Sequence, residues 1–114
     1  MFGTAGDTIL PFLACLGEHP IKFIQLRNEE SAAYAASAYA KLTGELGVVI
    51  GDGGPGTGRL INGLADALSD GAPVLAVTGQ VESIYLGTGH KQYINQQQLL
   101  GAVTLRSENL GSPR

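Results

Sequence analysis

Apolar positions recur along this chain in short blocks of two different periods, with glycine, proline and asparagine at the joints. Ile9, Leu10, Phe12, Leu13 and Leu16 fall at helical spacings between Thr8 and Gly17, and Pro11 is early enough for a first turn, so a short helix is predicted. The run Ile21 to Leu26 predicts a strand, with Asn28 as the N-cap of a second helix. From Glu29 to Leu42 alanine dominates, a strong helix former that Gly44 stops. Gly47 to Ile50 is a second, buried strand. Gly56 to Ser69 returns to helical spacing through Leu60, Ile61, Leu64, Ala65 and Leu68, and Pro73 to Thr78 is a third strand. A polar, glycine-containing loop runs from Gly79 to Tyr93, and Gln96 to Ala102 reads as a short helix.

Strands separated by helices predict parallel crossovers, with helices covering both faces of one sheet: a three-layer α/β/α domain. Ligands of such sheets gather at the carboxyl ends of the strands. The candidate loops are therefore Asn28-Glu29, Gly51 to Gly58 and Thr78 to Gln80. Gly3 to Gly6 would join them behind an earlier strand, but Met1-Phe2 leaves no room for one. The polar stretch 107–114 reads as a tail, which leaves 1–106 as one domain.

Composition narrows the partners. With 114 residues, a formal net charge of −3 and no run of Lys or Arg, the chain is not built to track a nucleic acid. No apolar stretch approaches the roughly 20 residues of a spanning helix, which argues against a membrane. The single Cys15 forms no internal disulfide, no Cys/His cluster is spaced for zinc, and a reducing, cytoplasmic setting is expected.

The loudest chemistry is the glycine-rich turn Gly51-Asp-Gly-Gly-Pro-Gly56 that leaves a strand and enters a helix. Such a turn aims bare backbone N–H groups at whatever binds there. Gly53 to Leu60 has the spacing of a phosphate-gripping P-loop, but Arg59 and Leu60 stand where the lysine and the magnesium-binding hydroxyl belong. Gly51 to Gly56 also satisfies the dinucleotide fingerprint. Its confirming acid should end the next strand, where Thr78, Gly79 and Gln80 stand and Glu82 lies just beyond.

A third reading uses more of the chain. Phe2-Gly-Thr-Ala-Gly-Asp-Thr-Ile-Leu-Pro11, Arg27-Asn-Glu-Glu-Ser-Ala-Ala33, Gly53-Gly-Pro-Gly56, Ile61-Asn-Gly-Leu-Ala-Asp-Ala67 and Ala72-Pro-Val-Leu-Ala-Val-Thr-Gly-Gln-Val81 occur in that order. Together they resemble the pyrimidine-binding domain of thiamine diphosphate enzymes, nearest to pyruvate oxidases and acetolactate synthases, from Phe2 to about Val103.

The resemblance implies that fold, lacking part of its usual N- and C-terminal elements, and a 2-oxoacid as the small-molecule substrate class. It implies Glu29 as the catalytic carboxylate, sharing a proton with the aminopyrimidine to promote the imino form that deprotonates the cofactor. Glu30 is its control, an acid favoured only by the helix dipole. Gly6, Pro55, Gly56 and Asn62 would complete the cofactor-binding set, and Gln92 would lie on the substrate side. Departures from the family pattern are Asn28 in place of histidine, Ala5 in place of proline, Arg59 after the turn, and Lys91 and Tyr93 around Gln92. His90 and His19 read as loop and turn residues.

Family members hold the diphosphate and Mg in a second domain, with FAD as a further cofactor in some. Asp52 imitates the start of that second motif without its later asparagine and is read as no metal ligand. No metal site is assigned to this chain; a separate diphosphate-binding subunit would anchor the ion. A vacated sheet edge where the first strand is missing would favour a homodimer or higher assembly. The alternatives are a noncatalytic oligomerisation or interaction module derived from that domain and, more weakly, a dinucleotide-binding domain.

Overall fold

The computed structural model describes residues 1–111. Four parallel strands, β1 (Phe2–Gly3), β2 (Ile24–Gln25), β3 (Gly47–Gly51) and β4 (Val74–Thr78), form one sheet in the order β2-β1-β3-β4. Helices α1 (Leu10–Leu16) and α2 (Glu29–Thr43) make the first two crossovers. Helices α3 (Pro55–Arg59) and α4 (Ile61–Ser69) make the third, and α5 (Gln96–Gly101) comes after the loop that leaves β4.

The expectation that no strand precedes the Gly3 to Gly6 turn is corrected. Phe2 and Gly3 form a strand in the interior of the sheet, registered with Ile24 and Gln25 on one side and with Val49 and Ile50 on the other. Two residues suffice because both neighbours bond it: the Ile24 and Leu26 N–H groups donate to Met1 O and Gly3 O, each at 2.9 Å. A two-residue strand shows no alternation for a periodicity test to detect. Its place also corrects the predicted vacated edge, since the edges are β2 and β4. The strand expected over Ile21 to Leu26 is shorter, confined to Ile24–Gln25 at the β2 edge.

Helix α2 begins and ends where its chemistry directs. Asn28 Oδ1 accepts from Ser31 N–H at 2.8 Å, and Gly44 closes the helix in the left-handed conformation at φ 74°. Its alanine face packs into a core of Ala32, Ala33, Ala36, Val49, Leu60, Leu64 and Leu100. Gly63 of α4 lies so close that a Cβ there would come within 2.6 Å of the Tyr34 nitrogen. Across the same contact Asp66 accepts from Ser37 at 2.8 Å and from Lys41 at 2.7 Å, and Lys41 also meets Asp70 at 2.5 Å.

The single helix expected from Gly56 to Ser69 is divided at Leu60. The Leu60 N–H donates to Thr57 O at 3.1 Å, an i→i+3 tightening, and its side chain is wholly buried. Burying that leucine is worth about 2 kcal/mol, while Gly56 and Gly58 weaken continuous helix on its N-terminal side. In the polar tail, residues 107–111 form neither helix nor strand, and 112–114 lie outside the described residues.

Candidate functional site

Strand order places the site. From β1 the chain crosses to β2, then returns past β1 to β3, so the direction of winding reverses between β1 and β3. Crevices at such switch points, beyond the carboxyl ends of the strands, are where open parallel sheets bind ligands. The segment after β1 (Thr4 to Thr8), the start of α2 and the turn after β3 (Asp52 to Gly56) all meet there. The β4 end joins them through Gly79, whose N–H donates to Gly51 O at 3.2 Å.

Glu29 is half-buried as the first residue of α2, directly behind the Asn28 cap. Its Oε1 accepts from the buried Thr4 hydroxyl at 2.8 Å. A Cβ on Gly56 would lie 2.9 Å from that same oxygen, so the glycine turn runs against the carboxylate. A Cβ on Gly51 would likewise lie 3.4 Å from Glu29 Cγ. No buried side-chain oxygen or nitrogen among the described residues lacks a partner. The second carboxylate oxygen, Oε2, makes no hydrogen bond among them and is therefore not buried.

The turn itself is held from three directions. Thr57 Oγ1 donates to Asp52 O at 2.9 Å from within α3. Gln96, only 6% exposed at the start of α5, accepts from Gly54 N–H at 2.7 Å and donates to Thr78 Oγ1 at 3.0 Å and Gly79 O at 2.8 Å. Asp52 Oδ1 accepts from Thr8 N–H at 2.9 Å and from the Thr8 hydroxyl. Gly54 has φ 68°, and Gln92 O occupies the place of its Cβ, so only glycine fits.

Of the residues singled out in the sequence, Gly6, Glu29, Pro55 and Gly56 lie on these segments, and Gly6 packs its bare Cα against the Asp52 carboxylate. Gln92 joins them through Asp52, donating from Nε2 to Oδ2 at 3.2 Å. Asn62 is exposed on α4, with its Nδ2 donating to Glu30 Oε1 at 3.0 Å, next to Glu29 in the chain. His90 stacks on Tyr85 with centroids 3.8 Å apart in an exposed loop. Thr4, Thr8 and Gln96 belong to the site without having stood out in the sequence. Their partners are 17 to 45 positions away, and the one local signal was the place of Gln96 at the start of a predicted helix.

No group of three His, Cys, Asp or Glu side chains among the described residues converges as a metal site. No helix among them is long and apolar enough to cross a membrane.

A parallel α/β domain that sets a half-buried carboxylate against a glycine turn at its switch point has its candidate site where open parallel sheets bind ligands. The chain belongs to the family of the thiamine pyrophosphate enzyme N-terminal TPP binding domain, whose model matches residues 1–99. Over 98% of its length it is 45% identical to a Bacillus subtilis protein named "Putative thiamine pyrophosphate-containing protein YdaP", covering 20% of that relative. It is 42% identical over 94% of its length to the acetolactate synthase isozyme 2 large subunit of Escherichia coli, again covering 20%. A probable acetolactate synthase large subunit of Methanocaldococcus jannaschii is 35% identical over 99% of the chain, which covers 19% of it. The chain thus spans about a fifth of the length of these relatives.

Proposed function

We propose that this domain supplies the pyrimidine half of a thiamine diphosphate site in an enzyme of the 2-oxoacid decarboxylase, oxidase or acetolactate synthase type. The observation that carries the reading is the setting of Glu29: one carboxylate oxygen tied to Thr4, the other free, and Gly56 bare beside it. A flat, polar heteroaromatic ring fits that arrangement. Glycines at 51 and 56 leave the carboxylate uncovered, and Oε2 is available to a ring nitrogen.

When bound, the cofactor supplies the carbanion-stabilising chemistry. Glu29 Oε2 holds or releases one proton at the ring nitrogen, acting as a general acid–base. Thr4 fixes the other oxygen, so the carboxylate plane is set before the ring arrives. The glycine turn, clamped by Gln96 and Asp52, gives the ring a rigid backbone wall. Gln92, across Asp52 from the turn, is the substrate-side residue in this reading.

The diphosphate and its Mg would be held by a second, diphosphate-binding domain. The test is to mix the chain with thiamine diphosphate, Mg and such a domain and to follow 2-oxoacid turnover. Turnover that requires the chain and falls in Glu29→Gln is expected. Turnover indifferent to that substitution contradicts the role of Glu29, and no turnover with any such domain favours the noncatalytic interaction module.

A further inference from the structure

Asp52 stands in the glycine turn as a charged residue to which the pyrimidine reading gives no contact with the ring, yet it makes more long-range side-chain hydrogen bonds than Glu29 does. Oδ1 takes the Thr8 N–H and the Thr8 hydroxyl. The same hydroxyl oxygen accepts from Gly53 N–H at 2.6 Å, so a chain of hydrogen bonds runs from the turn through Thr8 to the carboxylate. Linked bonds of this kind polarise and strengthen one another. Oδ2 takes Gln92 Nε2 at 3.2 Å.

The packing agrees. Gly6 has no room for a Cβ because the Asp52 carboxylate fills that space. A Cβ on Gly56 would lie 3.0 Å from Asp52 Cβ and 2.9 Å from Glu29 Oε1, so Asp52 and Glu29 flank the same point of the turn. Gln92 carries φ 66°, a left-handed conformation that a non-glycine residue holds only where its surroundings impose it. Here the surroundings are Gly54 beneath its carbonyl and Asp52 at its side-chain amide.

The structure assigns to Asp52 the part of a positioning residue: its carboxylate locks the Gly6–Thr8 segment, the glycine turn and Gln92 into one unit beside Glu29. This inference rests on the pyrimidine site proposed above. It also fixes the Gln92 amide. An ionised carboxylate only accepts hydrogen bonds, so Nε2 must face Asp52, and Oε1, which has no partner among the described residues, is left to face outward.

The experiment compares wild type with Asp52→Ala, Asp52→Asn and Thr8→Val by residue-resolved amide hydrogen exchange, alone and with thiamine as the probe. In Asp52→Ala the Gly53 and Gly54 amides are expected to exchange about tenfold faster or more, and thiamine to bind about tenfold more weakly, while Val49 and Ile50 stay within a factor of about two. Asp52→Asn is expected to recover most of both effects, because its Oδ1 still accepts from Thr8 and Gln92 can turn its amide to accept from the new Nδ2. Thr8→Val, which keeps the carboxylate but breaks the chain to Gly53, is expected to speed Gly53 exchange and carries the test should Asp52→Ala fail to fold.

Unchanged exchange at Gly53 in either variant overturns the lock. So does an equal rise through β3, which would make Asp52 a support of the whole fold, or a failure of Asp52→Asn to rescue. Wild type that binds no thiamine counts against the pyrimidine reading, while the exchange pattern without ligand still decides the lock.

Discussion

Thr4 Oγ1 donates to Glu29 Oε1 at 2.8 Å, and this bond joins the end of β1 to the start of α2 across the switch point of the sheet. A free carboxylate at a helix start would sample several rotamers. Tied at one oxygen, it presents the other in a fixed direction, which is what proton exchange with a bound ring requires. The two-residue strand β1 therefore serves the site as well as the sheet.

Glycine substitutions around the turn should separate by geometry. Gly54→Ala forces a Cβ onto the Gln92 carbonyl at a φ of 68° and is expected to cost about 2 kcal/mol or more. Gly58→Ala, inside α3 with nothing within 4 Å of its Cβ, is expected to stabilise by about 0.5 kcal/mol. Urea unfolding of the two variants beside wild type checks both signs.

Gln96→Leu keeps the side chain buried but removes its three bonds, leaving the buried Gly54 N–H without an acceptor. A loss of about 2 to 3 kcal/mol is expected. Because the α2–α4 contact is untouched, exchange should rise first at Gly54 and Gly79 and only later in α2. Simultaneous opening of both regions would contradict a local clamp.

The Lys41, Asp66 and Asp70 cluster sets a pH dependence at the far end of α2. Hydrogen bonds from Lys41, then from Ser37, hold the Asp66 carboxyl below its ordinary 3.8, so its contribution is present above that value and is lost as pH falls through the lowered one. Hydrogen bonds to Asp66 and Asp70 hold the Lys41 ammonium above its ordinary 10.5. Its contribution is complete below that value and is lost as pH rises through the raised one. Between the two limits this cluster gives no slope. Lys41→Met should flatten the acid limb of a plot of unfolding free energy against pH; an unchanged acid limb would contradict the pairing. Exposure of these side chains keeps the effect small and salt-sensitive.

Much of the fold was legible because it is written locally. The Asn28 cap, the alanine run to Gly44 and the apolar runs of β3 and β4 act over a few residues, and each appears close to its expected place. What escaped depends on distant partners. Strand β1 exists because β2 and β3 flank it, and the break at Leu60 comes from the core drawing that side chain inward. The site divides in the same way. Glu29 and the Gly53 to Gly56 turn were readable from ordered motifs, whereas Thr4, Thr8 and Gln96 act on residues 17 to 45 positions away through polar bonds that leave no periodic trace. Asn62 was legible as a motif residue, and its amide donates to Glu30, the neighbour of Glu29.

In the proposed site Glu29, held by Thr4 against the glycine turn, is the group that meets an aminopyrimidine. A thiamine titration followed by amide and side-chain resonances tests it on the chain alone, without diphosphate or Mg. Shifts centred on Glu29, Gly51 and Gly56 are expected, with binding about tenfold weaker or worse in Glu29→Gln and unchanged in Glu30→Gln. Shifts centred elsewhere, or equal binding by wild type and Glu29→Gln, would contradict it.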